Sequence, residues 1–163
     1  MLEKFPLQWI EEPLRADRSW TEWRELRELS GVPFAAGENL AGREAFDALL
    51  ASGAVDVVQP DVAKWGGHSA CGPLARAIRA AGRRYVPHYL GGGVGLLHSA
   101  HLLAAIGGGP LEVDANDNPL RSMLCGPVNE VSEGTVRLGN APGIGIEPDL
   151  CALQGVCAGS LAA

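Results

Sequence analysis

The chain has 163 residues, 47% of them hydrophobic and 20% charged, the proportions of a globular protein with a real core and not of a disordered one. A formal net charge of -6 with no Lys/Arg cluster argues against nucleic acid as a partner. The longest nearly apolar stretch, Val94 to Ile106, carries His98 and His101 and is well short of the roughly 20 residues a bilayer requires. Lys4, Pro6 and Gln8 leave no apolar signal core near the start. Cys71, Cys125, Cys151 and Cys157 show no C-x-x-C spacing and read as reduced thiols, so a cytoplasmic protein is expected.

Phe5 to Ile10 is a short apolar run closing at Glu11-Glu12-Pro13, where the proline cannot continue a central ladder; it reads as the first strand. Ser19-Trp20-Thr21-Glu22 has the form of a capping box, and Trp20, Trp23, Leu26 and Leu29 make one apolar stripe ahead of Gly31, so a helix follows. Val32 to Ala36 is the second strand, ending at Gly37-Glu38-Asn39. Its helix, from about Gly42 to Ser52, buries Ala45, Phe46, Leu49 and Leu50. The third strand, Val55 to Val58, runs through Gln59-Pro60 to Asp61, Lys64 and the turn Gly66-Gly67. A helix over roughly Ser69 to Ala81 carries Leu74 and Ile78.

Arg83 to Pro87 is the fourth strand and ends at His88. After Gly91-Gly92-Gly93 comes a helix with Leu96, Leu97, Leu102 and Leu103. Leu111 to Asp114 is the fifth strand, and no helical period is visible beyond Asn116. Cys151 to Ala163 is small and weakly apolar, which predicts a poorly ordered tail.

Strand alternating with helix five times means parallel β/α units. The polar strand-end residues Glu11, Glu38, Asp61, His88 and Glu112 are spaced by 27, 23, 27 and 24 residues. A doubly wound sheet gathers ligands at a switch point, whereas a β/α barrel places a functional residue at the C-terminal end of nearly every strand, and the regular series fits the barrel. The expected fold is therefore α/β, a partial TIM-type barrel of about five units. If the five ends meet at one mouth, Glu11 and Glu38 are hard oxygen ligands of the kind that hold Mg²⁺. His88 is the natural proton carrier, Asp61 fixes its tautomer, and Glu112 contacts a substrate oxygen. A divalent cation beside a bound carboxylate stabilises an enediolate, which removal of a proton next to a carboxylate requires.

The ordered set Trp9-Ile10-Glu11-Glu12-Pro13, Gly37-Glu38-Asn39, Pro60-Asp61-Val62-Ala63-Lys64-Trp65-Gly66-Gly67, Pro87-His88 and Leu111-Glu112 resembles the C-terminal half of the enolase superfamily. Within it the match is to the mandelate racemase subgroup of the mandelate racemase/muconate lactonizing enzymes, and it covers residues 5 to 150, including Pro142 to Asp149. The resemblance implies that Glu11 and Glu38 are the second and third Mg²⁺ ligands, that Asp61 and His88 form the general-base dyad, and that Glu112 is an acid assisting the substrate. A lysine at position 61 would instead mark the muconate-lactonizing branch. Asn116 to Leu120 resembles the dehydratase-like members, so a sugar-acid dehydratase is expected, with a racemase as the other outcome.

The family's capping domain, its lysine motif and its first metal carboxylate have no counterpart here. The expectation is that residues 1–150 are the C-terminal portion of a (β/α)7β barrel, in a fragment inactive on its own. The alternative is a non-catalytic partial barrel that needs a partner: a second copy or a complementing N-terminal half, recruited by open strand edges. Outside the series, Lys64 reads as a salt-bridge former, His98 and His101 as core or interface histidines, Gly91 to Gly93 as a loop, and Asp114, Asn116 and Asp117 as a turn.

Overall fold

β-branched and small residues set the strands, and glycines and prolines cut them short. The computed structural model describes residues 4–156. Strands β1 (Ile10–Glu11), β2 (Phe34–Ala36), β3 (Val57–Val58) and β4 (Arg84–Tyr85) form one parallel sheet in the order β1-β2-β3-β4. Ile10 stands beside Phe34, Ala35 beside Val57, and Val58 beside Tyr85. Helices α1 (Trp20–Glu28), α2 (Arg43–Ser52) and α3 (Gly67–Ala80) make the crossovers, and α4 (Gly93–Ala105) follows β4. Chain order equals strand order, the progression of a β/α barrel, so the protein is an α/β fold with a partial TIM-type barrel.

Alternation along the strands divides the core into two layers. Phe34, Ala36, Val58 and Tyr85 face the helices and pack with Trp23, Phe46, Leu49, Leu74 and Ile78. Ala35, Val57 and Val86 face the other way and pack against Trp9, forming the barrel interior. At the N-terminal end of the sheet the Asp56 carboxylate accepts from Arg27 Nε at 2.9 Å, the Phe34 amide at 3.1 Å and Arg83 at 3.3 Å, which ties α1, β2 and β4 together.

The α1 capping box forms as expected: Ser19 Oγ accepts from the Glu22 amide, and the Glu22 carboxylate accepts from the Ser19 amide. The expected stripe is shorter by one residue, because the helix stops at Glu28 and the capping residue Leu29 turns outward, 82% exposed. Residues Phe5 to Trp9 are not strand either: Phe5 and Leu7 are exposed, and pairing begins only at Ile10.

The fifth strand is corrected more fully. The chain reaches it through Gly107, Gly108 and Gly109, with φ of 104°, 78° and 153°, and Pro110, which has no amide hydrogen for a ladder. Leu111 to Asp114 does not join the sheet, and the Glu112 carboxylate accepts from the amide of Tyr89, in the loop after β4, at 3.3 Å. Beyond Asn116 there are helices after all. Asn118 caps α5 (Pro119–Leu124) by accepting from the Arg121 amide, and α6 (Leu150–Gln154) is capped by Asp149. The tail expected to be poorly ordered thus begins inside a helix, while residues 157–163 lie outside the described residues.

Candidate functional site

The face that packs the barrel interior also builds the mouth. Side chains two apart share a face, so Trp9 leads to Glu11, Val57 to Gln59 and Asp61, and Val86 to His88. β2 departs from this rule at Gly37, whose φ of 132° turns the chain; a Cβ there would stand 3.1 Å from the Gln59 amide nitrogen. That turn sends Glu38 across toward His88.

His88 and Asp61 are 2% and 4% exposed, and their side chains meet, Nδ1 to Oδ2, at 3.1 Å. The other ring nitrogen, Nε2, lies 2.9 Å from Glu38 Oε2. Glu38 Oε1 is held by the Lys64 ammonium at 3.3 Å. Asp61 Oδ1 accepts from the Ala63 and Lys64 amides at 2.7 and 3.2 Å, so one carboxylate fixes both the imidazole and the turn that carries Lys64.

Glu11 enters from the neighbouring strand, with Oε2 accepting from Gln59 Nε2 at 2.9 Å and from the Trp9 indole at 3.4 Å. Glu12, the adjacent acid, points away to accept from Asn39 Nδ2 at 3.2 Å. Burial raises the Glu12 carboxyl above its usual range, with Glu38 and Glu11 adding to the rise and Asn39 opposing it. Glu112 is raised as well, chiefly by burial; the nearby His88 opposes, and Glu11 and Glu38 reinforce. A chamber of about 170 Å³ beneath the mouth is lined by Trp9, Glu11, Gln59, Val86, Leu111 and Glu112. A wider concavity, about 790 Å³, lies between α4 and residues 131–139; none of its lining residues is ionisable, so it does not compete with the mouth on chemistry.

The five residues singled out from the sequence thus come together at one end of the sheet, Glu112 through a loop and not through a strand. Gln59 and Lys64 belong to the same constellation. Gln59 was legible as the residue between Val57 and Asp61 on the inward face. The salt bridge expected of Lys64 is made with Glu38. As hard oxygen donors, Glu11 and Glu38 fit Mg²⁺ in kind. Glu11 Oε1 receives no hydrogen bond among the described residues, whereas both oxygens of Glu38 are engaged. Among the described residues no three His, Cys, Asp or Glu side chains converge into a metal-holding group.

A parallel sheet that collects carboxylates, an amide and a histidine at its C-terminal end has the arrangement of the functional end of a β/α barrel. The family model for the enolase C-terminal domain-like proteins matches residues 1–152, and the chain belongs to that family. A mandelate racemase/muconate lactonizing enzyme structure from Bordetella bronchiseptica RB50 is similar at 57% identity and a TM-score of 0.88, covering 93% of this chain and 43% of the other. The D-galactarolactone cycloisomerase of Agrobacterium fabrum is 32% identical over 88% of this chain and 40% of its own. The arabinonate dehydratase of Saccharolobus solfataricus is 31% identical over 88% of this chain and 38% of its own. The chain therefore spans about two fifths of the length of these curated relatives. Among the described residues no helix is long and apolar enough to cross a membrane.

Proposed function

We propose that this chain carries the base-bearing side of an enzyme that removes the proton next to the carboxylate of a sugar acid and then expels water from the neighbouring carbon. The observation that carries this reading is the buried Asp61–His88 contact at 3.1 Å, opening on Glu38 at the sheet mouth. With Asp61 accepting at Nδ1, the imidazole presents Nε2 to the substrate, and the buried carboxylate holds the ring in that tautomer and supports it once it is protonated. Glu38 Oε2, 2.9 Å from Nε2, lies beside the nitrogen that would take the substrate proton.

Glu11 and Glu38 are the residues that would hold Mg²⁺, with Gln59 and Trp9 fixing one oxygen of Glu11 so that the other faces outward. When bound, the cation supplies positive charge beside the substrate carboxylate. Glu112, raised by burial, keeps its proton to higher pH than a free glutamate and serves as the acid toward the departing or enolic oxygen. The two curated relatives support the substrate class, since by name they act on arabinonate and on a galactarolactone. β1 and β4 are the end strands of the sheet, so a second copy or a complementing barrel portion is the proposed partner, and the cytoplasm the proposed compartment.

The test is a screen of aldonic and aldaric acids with Mg²⁺, using the chain mixed with the N-terminal barrel portion of the Bordetella relative. The expected product is a 2-keto-3-deoxy acid, formed by wild type and not by His88→Asn. Turnover that persists in His88→Asn, or epimerised substrate with no loss of water, contradicts the dehydratase assignment.

A further inference from the structure

In the helical layer outside the sheet, two histidines meet where α3 packs on α4, and a third lies one turn further along α4. His68 lies in the first turn of α3, and His98 and His101 lie one turn apart on α4. The His68 and His98 rings are perpendicular to within a few degrees (interplanar angle 83°), with centroids 5.0 Å apart.

The hydrogen bonds around them leave nitrogen lone pairs in place. His68 Nε2 lies 2.9 Å from the His98 carbonyl oxygen, an acceptor only, so Nε2 carries the hydrogen and the lone pair of the neutral ring sits on Nδ1. His101 is held the same way, Nε2 to the Ile144 carbonyl at 3.1 Å. Among the described residues neither His98 ring nitrogen has a hydrogen-bond partner. A ring N–H donated to a backbone carbonyl is the support that metal-binding histidines receive, since it fixes ring orientation and raises the basicity of the other nitrogen.

Burial, then the neighbouring His68 and His101, lowers the pKa of His98. Distance agrees: two imidazoles on one tetrahedral ion at about 2.1 Å place their ring centroids roughly 5 Å apart. Cys71, one turn after His68, is not a competitor. It is fully buried, its thiol donates to the Trp65 carbonyl, and burial pushes its pKa up to about 11.

We infer that His68 and His98 form a two-imidazole site for a borderline transition cation, Zn²⁺ or Cu²⁺, that clamps α3 to α4. Because no three His, Cys, Asp or Glu side chains converge among the described residues, the protein supplies two nitrogens and water completes the shell. The site differs from the mouth in position and in donor type, nitrogen against carboxylate oxygen, and it stands whether or not the mouth binds Mg²⁺. The helices it joins follow the strands that end in Asp61 and His88, so the clamp steadies the packing behind that pair.

The test uses the full, untagged chain with accessible thiols alkylated. Zn²⁺ at a hundredfold excess over its Kd raises Tm by about 5 °C or more, and Cu²⁺ gives an electron paramagnetic resonance spectrum split by two imidazole nitrogens. His68→Gln and His98→Gln each remove the thermal shift and reduce the splitting to one nitrogen or none, while Glu38→Ala, at the mouth, retains both signals. No shift in wild type, a shift unchanged in both histidine variants, or a copper spectrum without two nitrogens overturns the inference. Position 68 is exposed, so His68→Gln provides a folded variant even if His98→Gln is unstable.

Discussion

Replacing Asp61 separates two jobs of one carboxylate, and their magnitudes differ enough to be measured. Asp61→Asn keeps Oδ1 for the Ala63 and Lys64 amides, now 2.7 and 3.2 Å away, and places an amide nitrogen where Oδ2 meets His88. What is lost is the charged part of a single contact. A hydrogen bond to a charged group contributes about 1.5–3 kcal/mol against about 1 for a neutral one, so the expected cost is about 1–2 kcal/mol. Asp61→Ala removes all three bonds. The two turn amides lie near solvent and cost about 0.5–1 kcal/mol each, and a buried His88 left without its partner costs about 2–3, for a total of about 3–5 kcal/mol. Urea unfolding followed by tryptophan fluorescence measures both variants, with the slope m unchanged and only the midpoint displaced. The reasoning is refuted if Asn and Ala destabilise equally, or if Ala costs less than about 1 kcal/mol. Asn also donates to Nδ1 and moves the ring hydrogen to Nε2, so Asp61→Asn is expected to fold and to lose proton abstraction.

Glu112 contributes a pH dependence whose sign follows from its raised carboxyl. The unfolded chain ionises near the ordinary value of about 4.3 and the folded chain only at higher pH. Stability from this group is therefore full below that value and is lost as pH rises through the folded pKa. Glu112→Gln keeps an acceptor for the Tyr89 amide, so its Tm should gain on wild type between pH 4 and pH 7; a constant difference across that range contradicts the assignment. Gly93→Ala should destabilise by about 1–3 kcal/mol, because a Cβ there would fall 2.2 Å from the Leu124 carbonyl carbon and force α4 away from the end of α5; a urea midpoint like that of wild type refutes the close approach. Lys64→Met should shift stability by less than about 1 kcal/mol, since its bridge to Glu38 is half exposed. Freed of that ammonium, Glu38 should bind Mg²⁺ more tightly by calorimetry, and equal or weaker binding argues against Glu38 as a ligand.

Much of the mouth was legible because two periodicities coincide in the sequence. The spacing of Glu11, Glu38, Asp61 and His88 reports one β/α unit per charged end, and alternation along β1, β3 and β4 puts Glu11, Asp61 and His88 on the face that Trp9, Val57 and Val86 pack from below, while Glu38 reaches it through the turn at Gly37. Gln59 escaped notice because a neutral amide carries no ionisable signal, although its place between Val57 and Asp61 on one face was available. The fifth strand was misread because Leu111 and Val113 have strand composition, and composition does not report the glycine-rich approach that swings the segment off the sheet. α5 is too short for a helical period, yet Asn118-Pro119 is a cap followed by a first-turn proline and was readable as a helix start. Phe5 and Leu7 mark the converse limit, since apolar side chains at the start of a chain are not buried by composition alone.

The central claim concerns one proton and one nitrogen. Sugar acid and Mg²⁺ are incubated in D₂O with the chain plus the N-terminal barrel portion of the Bordetella relative, and NMR follows the substrate proton next to the carboxylate and deuterium on the neighbouring carbon of the 2-keto-3-deoxy product. Loss of that proton with deuterium at the neighbouring carbon in wild type, both abolished in His88→Asn and in Asp61→Asn, is the predicted result. Turnover at the wild-type rate in His88→Asn would contradict it.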